Sequence, residues 1–270
     1  MNLGRRLLHH SLGAYAAVAF GYLLLPIAII LLFSFNDPAG RRNQKWQGFT
    51  LDNWAHPFEV TELTKAFVTS IEVAVLATLV ATVLGTLMAL ALVRYEFRGR
   101  APVNFFIFLP LATPEVVLGA ALLSLFLSFG TNTGFVTIVI AHVMFAVSFV
   151  VVTVRSRLIG FDRSLEEAAQ DLGATGTQTF LRVTLPLIMP GVLAGGLLAF
   201  ALSIDDYVIT SFNSGATITY PLWIFGATQR GVPPQVNVLA AMIFLFTVAI
   251  MIFTVWQQRR AEKLAAVRPA

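Results

Sequence analysis

The chain has no cysteine, which excludes disulfides and thiolate metal sites and leaves no redox trace of its compartment. Lysine is almost as scarce: only Lys45, Lys65 and Lys263 occur, preceded by Gln44, Thr64 and Glu262. The Gly-Lys-Ser/Thr step of a phosphate-binding loop is therefore missing. The protein binds no ATP by that device, so any energy it uses comes from a partner. Charge of either sign is also sparse, at 12% of 270 residues against 57% hydrophobic, with a mean hydropathy of +0.79. A soluble core of this size cannot bury so much apolar material, and the composition reads as an all-α integral membrane protein. No internal repeat is evident, so an inverted-repeat carrier gains no support.

Six stretches are long and apolar enough to span a bilayer as helices: about 12–34, 66–93, 103–129, 135–154, 187–210 and 236–256. They predict one transmembrane domain over 1–270, with a core of about 66–256, a cytoplasmic loop of about 155–186 and an external loop of about 35–64. Trp46, Trp54 and Phe58 mark the external loop as interfacial. Residues 211–235 form a shorter external loop, in which Tyr220-Pro221 and Pro233-Pro234 break helices. With the N-terminus in the cytoplasm, Arg94, Arg98, Arg100, Arg155, Arg157, Arg163, Arg182 and both arginine-bearing termini lie inside. Only Arg41, Arg42, Lys45 and Arg230 fall outside, with Lys65 at a boundary. This bias predicts a multi-pass cell-membrane protein with both termini cytoplasmic. The net charge of +4 thus reports topology, and nucleic acid is not an expected partner. The first stretch is too long for a signal-peptide core and no cleavage site follows it, so it reads as an uncleaved anchor.

Four carboxylates fall in the apolar stretches: Glu72, Glu115, Asp205 and Asp206. Such groups are costly in a bilayer and usually functional. No Lys or Arg falls clearly inside a span to neutralise them, so a cationic substrate is the natural counterion. Counting helical rise from the cytoplasmic end places Glu115 roughly 20 Å and Asp205 roughly 27 Å into their spans. Pro110 and Pro114 are expected to free carbonyls beside Glu115. Glu72 is near a helix end and can snorkel to the headgroups. Asp205 and Asp206 point about 100° apart on a helix, so one faces a pathway while the other orients a neighbour or caps a break. Tyr207 and Trp223 are aromatic candidates for holding ammonium groups. His142 reads as a satisfied packing residue, and Gly191-x-x-x-Gly195 as a place for close helix approach.

Between the fourth and fifth stretches lies Ser164-Leu-Glu-Glu167-Ala168-Ala169, with Gly173 six residues after Glu167 and Leu185-Pro186 beyond. Local chemistry reads Ser164 as an N-cap, Glu167 as its capping-box partner, Gly173 as a helix stop and Thr177 as the next start. Glu-Ala-Ala, the glycine at that offset and Leu-Pro together resemble the EAA loop of ABC-importer permeases, with Val183 where that pattern usually has Ile. Leu109-Pro110, Pro114-Glu115, Ala141-His142-Val143 and Ser203-Ile204-Asp205-Asp206-Tyr207 extend the likeness over nearly the whole chain. They resemble the C-type subunit of the spermidine/putrescine (polyamine) permeases, from whose pattern Glu72 departs.

The resemblance implies a six-helix type I ABC-importer permease, not an enzyme. It also implies a second homologous permease, an ATP-binding subunit in two copies that carries the Mg-ATP, and an extracytoplasmic polyamine-binding protein. This chain itself is expected to hold no cofactor and no metal. Glu167, Ala168, Ala169, Gly173 and Pro186 are then the ATPase-coupling residues, and Glu115, Asp205, Asp206, Tyr207 and Trp223 line the substrate pathway. An iron, thiamine or sulfate permease, or a stand-alone proton-coupled carrier or channel, is the alternative.

Overall fold

A computed structural model describes residues 3–40 and 42–266; Arg41 and Arg268, two of the basic residues that orient the chain, lie outside the described residues. Helix α1 (Leu3–Phe33) and the short α2 (Asp52–Ala55) precede α3 (Thr61–Arg94). Next come α4 (Arg100–Ala112), α5 (Glu115–Ser128) and α6 (Phe135–Ile159), then the short α7 (Ser164–Asp171) and α8 (Gly176–Thr179). A π-helical turn, Phe180–Thr184, leads into α9 (Leu185–Ile204). Helices α10 (Val208–Asn213), α11 (Tyr220–Arg230) and α12 (Pro234–Ala266) complete the order. Among the described residues five helical stretches are long and apolar enough to cross a membrane, and six if α4 and α5 count as one broken span.

That broken span corrects the expectation of a straight third crossing. Helices α4 and α5 meet at 115°. The cause is local: Thr113 precedes a proline and is extended (φ −86°, ψ 132°), and Pro114 is extended too (φ −57°, ψ 133°). Depth along one rod therefore does not apply to Glu115, which is the first residue of α5. The Pro114 carbonyl accepts the N–H groups of Val117 and Leu118 and so opens α5. The fifth span ends at Ile204 rather than at 210, and most of 211–235 is helical because Tyr220-Pro221 starts α11 instead of breaking it.

The chain forms two compact units, one of Lys65–Phe225 and one of the described residues in Met1–Thr64 and Gly226–Ala270. In the second of these, α12 packs on α1 and α2. Its long loop is ordered around the fully buried Asn36. Asn36 Nδ2 donates to Asn43 Oδ1 (2.6 Å) and to the Lys45 carbonyl (2.8 Å), while its Oδ1 accepts from the Gln47 N–H (2.8 Å). Trp54 stacks on Phe35 and donates to Ser34 Oγ at 3.0 Å, so it is tied into the loop, whereas Trp46 stays exposed.

In the Lys65–Phe225 unit, α6 packs against α4, α9 and α10. Ala81 and Leu92 of α3, Ile107 of α4, Val150 and Val154 of α6 and Ile188 of α9 form one buried cluster. Glycine permits the close α6–α9 approach: a β-carbon on Gly191 would lie 2.8 Å from Arg157 Cβ, and one on Gly195 would lie 3.3 Å from Val150 Cγ1. The outward side of α3 remains apolar, with Leu79, Val83 and Leu87 exposed, as expected for a surface that meets lipid or another apolar helix.

Candidate functional site

Two regions of the Lys65–Phe225 unit carry the candidate residues. The first surrounds α7. Its start differs from the expected cap: Arg163 is the N-cap, Ser164 is already helical, and no capping box forms with Glu167. Asp162 acts instead, because its carboxylate accepts the Ser164 N–H at 3.0 Å. That bond, with a second from the Ser164 hydroxyl, holds the Asp162 carboxyl below the usual carboxylate range. The short helix after it likewise begins at Thr175 rather than Thr177, with Thr175 and Gln178 making the capping box.

Gly173 ends the helix as its spacing predicts. It sits at φ +88°, its N–H bonds to the Gln170 carbonyl (2.8 Å), and the Ala174 N–H reaches back to Ala169 (3.0 Å). Glu167 and Ala168 face outward, Ala169 is half-buried and Pro186 is exposed in the first turn of α9. Leu165 and Leu172 are 47% and 90% exposed. With Ala168 they make an outward apolar stripe, and their i, i+3, i+7 spacing is a signal that the sequence carries. Glu166, absent from the residues expected to couple, turns inward and bonds to both Arg94 and Thr184.

The second region is the break between α9 and α10, where the adjacent aspartates part company. Asp205 is exposed, while Asp206 is 8% exposed. The Asp206 carboxylate accepts the Thr210 N–H and hydroxyl, both at 2.7 Å, and the Ile209 N–H at 3.3 Å, which caps α10 and fixes the break. His142 on α6 completes the network: its Nε2 lies 3.2 Å from Asp206 Oδ2 and 2.9 Å from Thr210 Oγ1, and its Nδ1 lies 2.7 Å from Ser203 Oγ. A neutral imidazole protonated on Nε2 satisfies every member, with the Ser203 hydroxyl donating to Nδ1. His142 is thus the satisfied buried residue expected, but it also pins both sides of the break. Nothing in the sequence signals that pairing beyond a histidine and an aspartate in separate apolar stretches.

The remaining candidates divide. Glu115 is exposed at the start of α5. Helix α5 packs on α10 through Gly119, where a β-carbon would come 2.8 Å from Phe212, and Asn213 Nδ2 donates to the Gly119 carbonyl at 3.3 Å. Glu115 and Asp205 therefore both lead into one packed helix pair, and neither has an ion-pair partner among the described residues. Tyr207 is half-buried with its ring 4.8 Å from that of Phe225. Trp223 is half-buried in α11, a separate short helix rather than the end of the fifth span. Glu72 is exposed on α3.

Residues 81–263 match a family model described as binding-protein-dependent transport system inner membrane component. The spermidine/putrescine transport system permease protein PotC of Haemophilus influenzae is 38% identical over 242 residues, spanning 89% of this chain and 93% of that protein. The putrescine transport system permease protein PotI of Escherichia coli is 39% identical over 255 residues, spanning 91% and 90%. Among solved structures, a chain of a bacterial ABC transporter involved in the import of the acidic polysaccharide alginate superposes with a TM-score of 0.69 at 18% identity. The match covers 96% of this chain and 98% of that one.

Proposed function

The chain belongs to the family of binding-protein-dependent transport system inner membrane components and is a permease subunit of an ABC importer, and from that premise we propose that it carries polyamines inward. The observation that carries the substrate class is the 38% to 39% identity, over about nine tenths of the chain, to permeases named for spermidine and putrescine. The chemistry agrees with it. Glu115 and Asp205 are exposed carboxylates without ion-pair partners among the described residues. Ammonium groups supply the charge these acids lack; Tyr207 offers a ring face two residues from Asp205, and Trp223 on α11 offers another. Asp206 serves the site by holding the break that presents Asp205.

The pore is completed by a second permease, and two ATP-binding subunits carrying Mg-ATP sit on the cytoplasmic side with both termini of this chain. An extracytoplasmic binding protein delivers the cargo. Glu167, Ala168 and Ala169 dock α7 on an ATPase, Gly173 sets the turn behind it, and Pro186 starts the membrane helix beyond. Closure of the ATPases then moves α7 and switches the pathway from inward-open to outward-open.

The test uses the reconstituted complex and the shape-preserving substitutions Glu115→Gln and Asp205→Asn. A lost charge-assisted hydrogen bond weakens polyamine binding by about 1–3 kcal/mol, so at least one variant loses most uptake at low substrate while its membrane level and assembly hold. Normal polyamine uptake by both variants, or a wild-type complex that moves only neutral or anionic solutes, refutes the cationic-substrate reading.

A further inference from the structure

Helix α7 has eight residues and no fully buried side chain. A helix that short is not stable alone, and so exposed a helix is held largely by polar contacts. Three are present. Arg94 Nη2 and the Thr184 hydroxyl both donate to Glu166 Oε1, and Arg163 Nη2 donates to the Val93 carbonyl at 3.2 Å. Arg94 is the last residue of α3, and Thr184 closes the π-helical turn directly before α9. The contact is enclosed: Thr184 is fully buried, and the Arg94 and Glu166 side chains are 26% and 15% exposed.

We propose that Arg94, Glu166 and Thr184 are positioning residues that deliver the displacement of α7 to α3 and α9 together. The tandem glutamates divide the work by direction, because adjacent helical residues face about 100° apart. Glu167 looks out toward the ATPase, and Glu166 looks in and grips the two membrane helices. One carboxylate oxygen shared by two donors on different helices forces them to follow α7 as a set, since neither donor can move off without leaving a buried polar group poorly paired. The inference rests on the reading that α7 docks on an ATPase.

The experiment measures polyamine uptake and ATP hydrolysis on the same proteoliposomes containing the whole complex, together with retention of the ATPase on purification. Glu166→Gln, Arg94→Gln and Thr184→Val are each expected to lower uptake per ATP hydrolysed by about tenfold, within the usual range of coupling strengths, while the ATPase is retained. Exchanging the charges, Arg94→Glu with Glu166→Arg, is expected to restore most of the ratio. If the single variants fail to accumulate, the cysteine-free background permits Arg94→Cys with Glu166→Cys in an otherwise cysteine-free complex. Joining that pair with a short cleavable bifunctional thiol reagent should raise uptake per ATP, and cleavage should lower it again.

An unchanged ratio in all three single variants, or no response of the cysteine pair to joining and cleavage, overturns the proposal. So does release of the ATPase by Glu166→Gln, which would make Glu166 a docking residue. Failure of the docking reading itself looks different: Glu167→Lys would then keep the ATPase bound with full uptake.

Discussion

Asp205 and Asp206 are chemically identical neighbours, and the structure predicts opposite consequences for losing each. The Asp206 carboxylate is 8% exposed, takes two bonds from Thr210 at 2.7 Å and faces His142 Nε2 at 3.2 Å. Asp206→Ala strips the cap from α10 and leaves the Thr210 N–H and hydroxyl and the imidazole without their acceptor. Each buried donor left without an acceptor costs about 1–3 kcal/mol, and here several are left at once. Asp206→Asn keeps one oxygen but turns an amide NH₂ toward donors, which costs about 1–3 kcal/mol. Asp205 is exposed, so Asp205→Asn should leave stability within about 0.5 kcal/mol while impairing polyamine uptake. Membrane complexes commonly unfold irreversibly, so the assay is the half-life of the purified complex at a fixed elevated temperature, read beside uptake. The expected order of half-life, shortest first, is Asp206→Ala, then Asp206→Asn, then wild type and Asp205→Asn together. Pairing His142→Ala with Asp206→Ala should cost less than the sum of the two single losses, because the residues share one network. A wild-type half-life for Asp206→Ala, or an Asp205→Asn variant as labile as Asp206→Asn, refutes the division of roles.

Glu167→Lys reverses the outward charge of α7 and should abolish ATP-dependent uptake and ATPase retention with insertion intact, measured by co-purification and vesicle uptake. Topology can be read from single cysteines reacting with an impermeant thiol reagent in intact cells: Gln47→Cys and Gln229→Cys should label and Leu172→Cys should not, and the reverse pattern inverts the orientation. Gln229 and Leu172 suit this better than Gly231 and Gly173, whose φ values of +119° and +88° disfavour any side chain. Gly85→Ala places a β-carbon 2.7 Å from Val150 and should destabilise the complex by about 1–3 kcal/mol. Val150→Ala in the same chain should recover part of that loss in the half-life assay.

Much of this protein is local chemistry and is therefore legible in sequence. Apolar run length decides membrane residence and nearly all the spans, because a bilayer demands continuous internally bonded helices of fixed length. The αL position at Gly173 and the close approach at Gly191 and Gly195 come from residues that lack a β-carbon. The bend at Thr113-Pro114 is also local in cause, but its 115° angle depends on the surfaces against which α4 and α5 pack. The first cap of α7 departs from the capping-box pattern because Ser164 and Asp162 both suit an N-terminus, and the Asp162 carboxylate wins the Ser164 N–H. The direction in which a polar side chain turns is not legible in this way. Asp206 faces inward because His142, on another helix, meets Ser203 and Thr210 at separations of 61 and 68 residues, and Glu166 faces inward because Arg94, 72 residues earlier, meets it there. Those donors converge only once the helices have packed. Which of two adjacent acids is buried and bonded, and which is left exposed, is a property of that convergence and not of either residue.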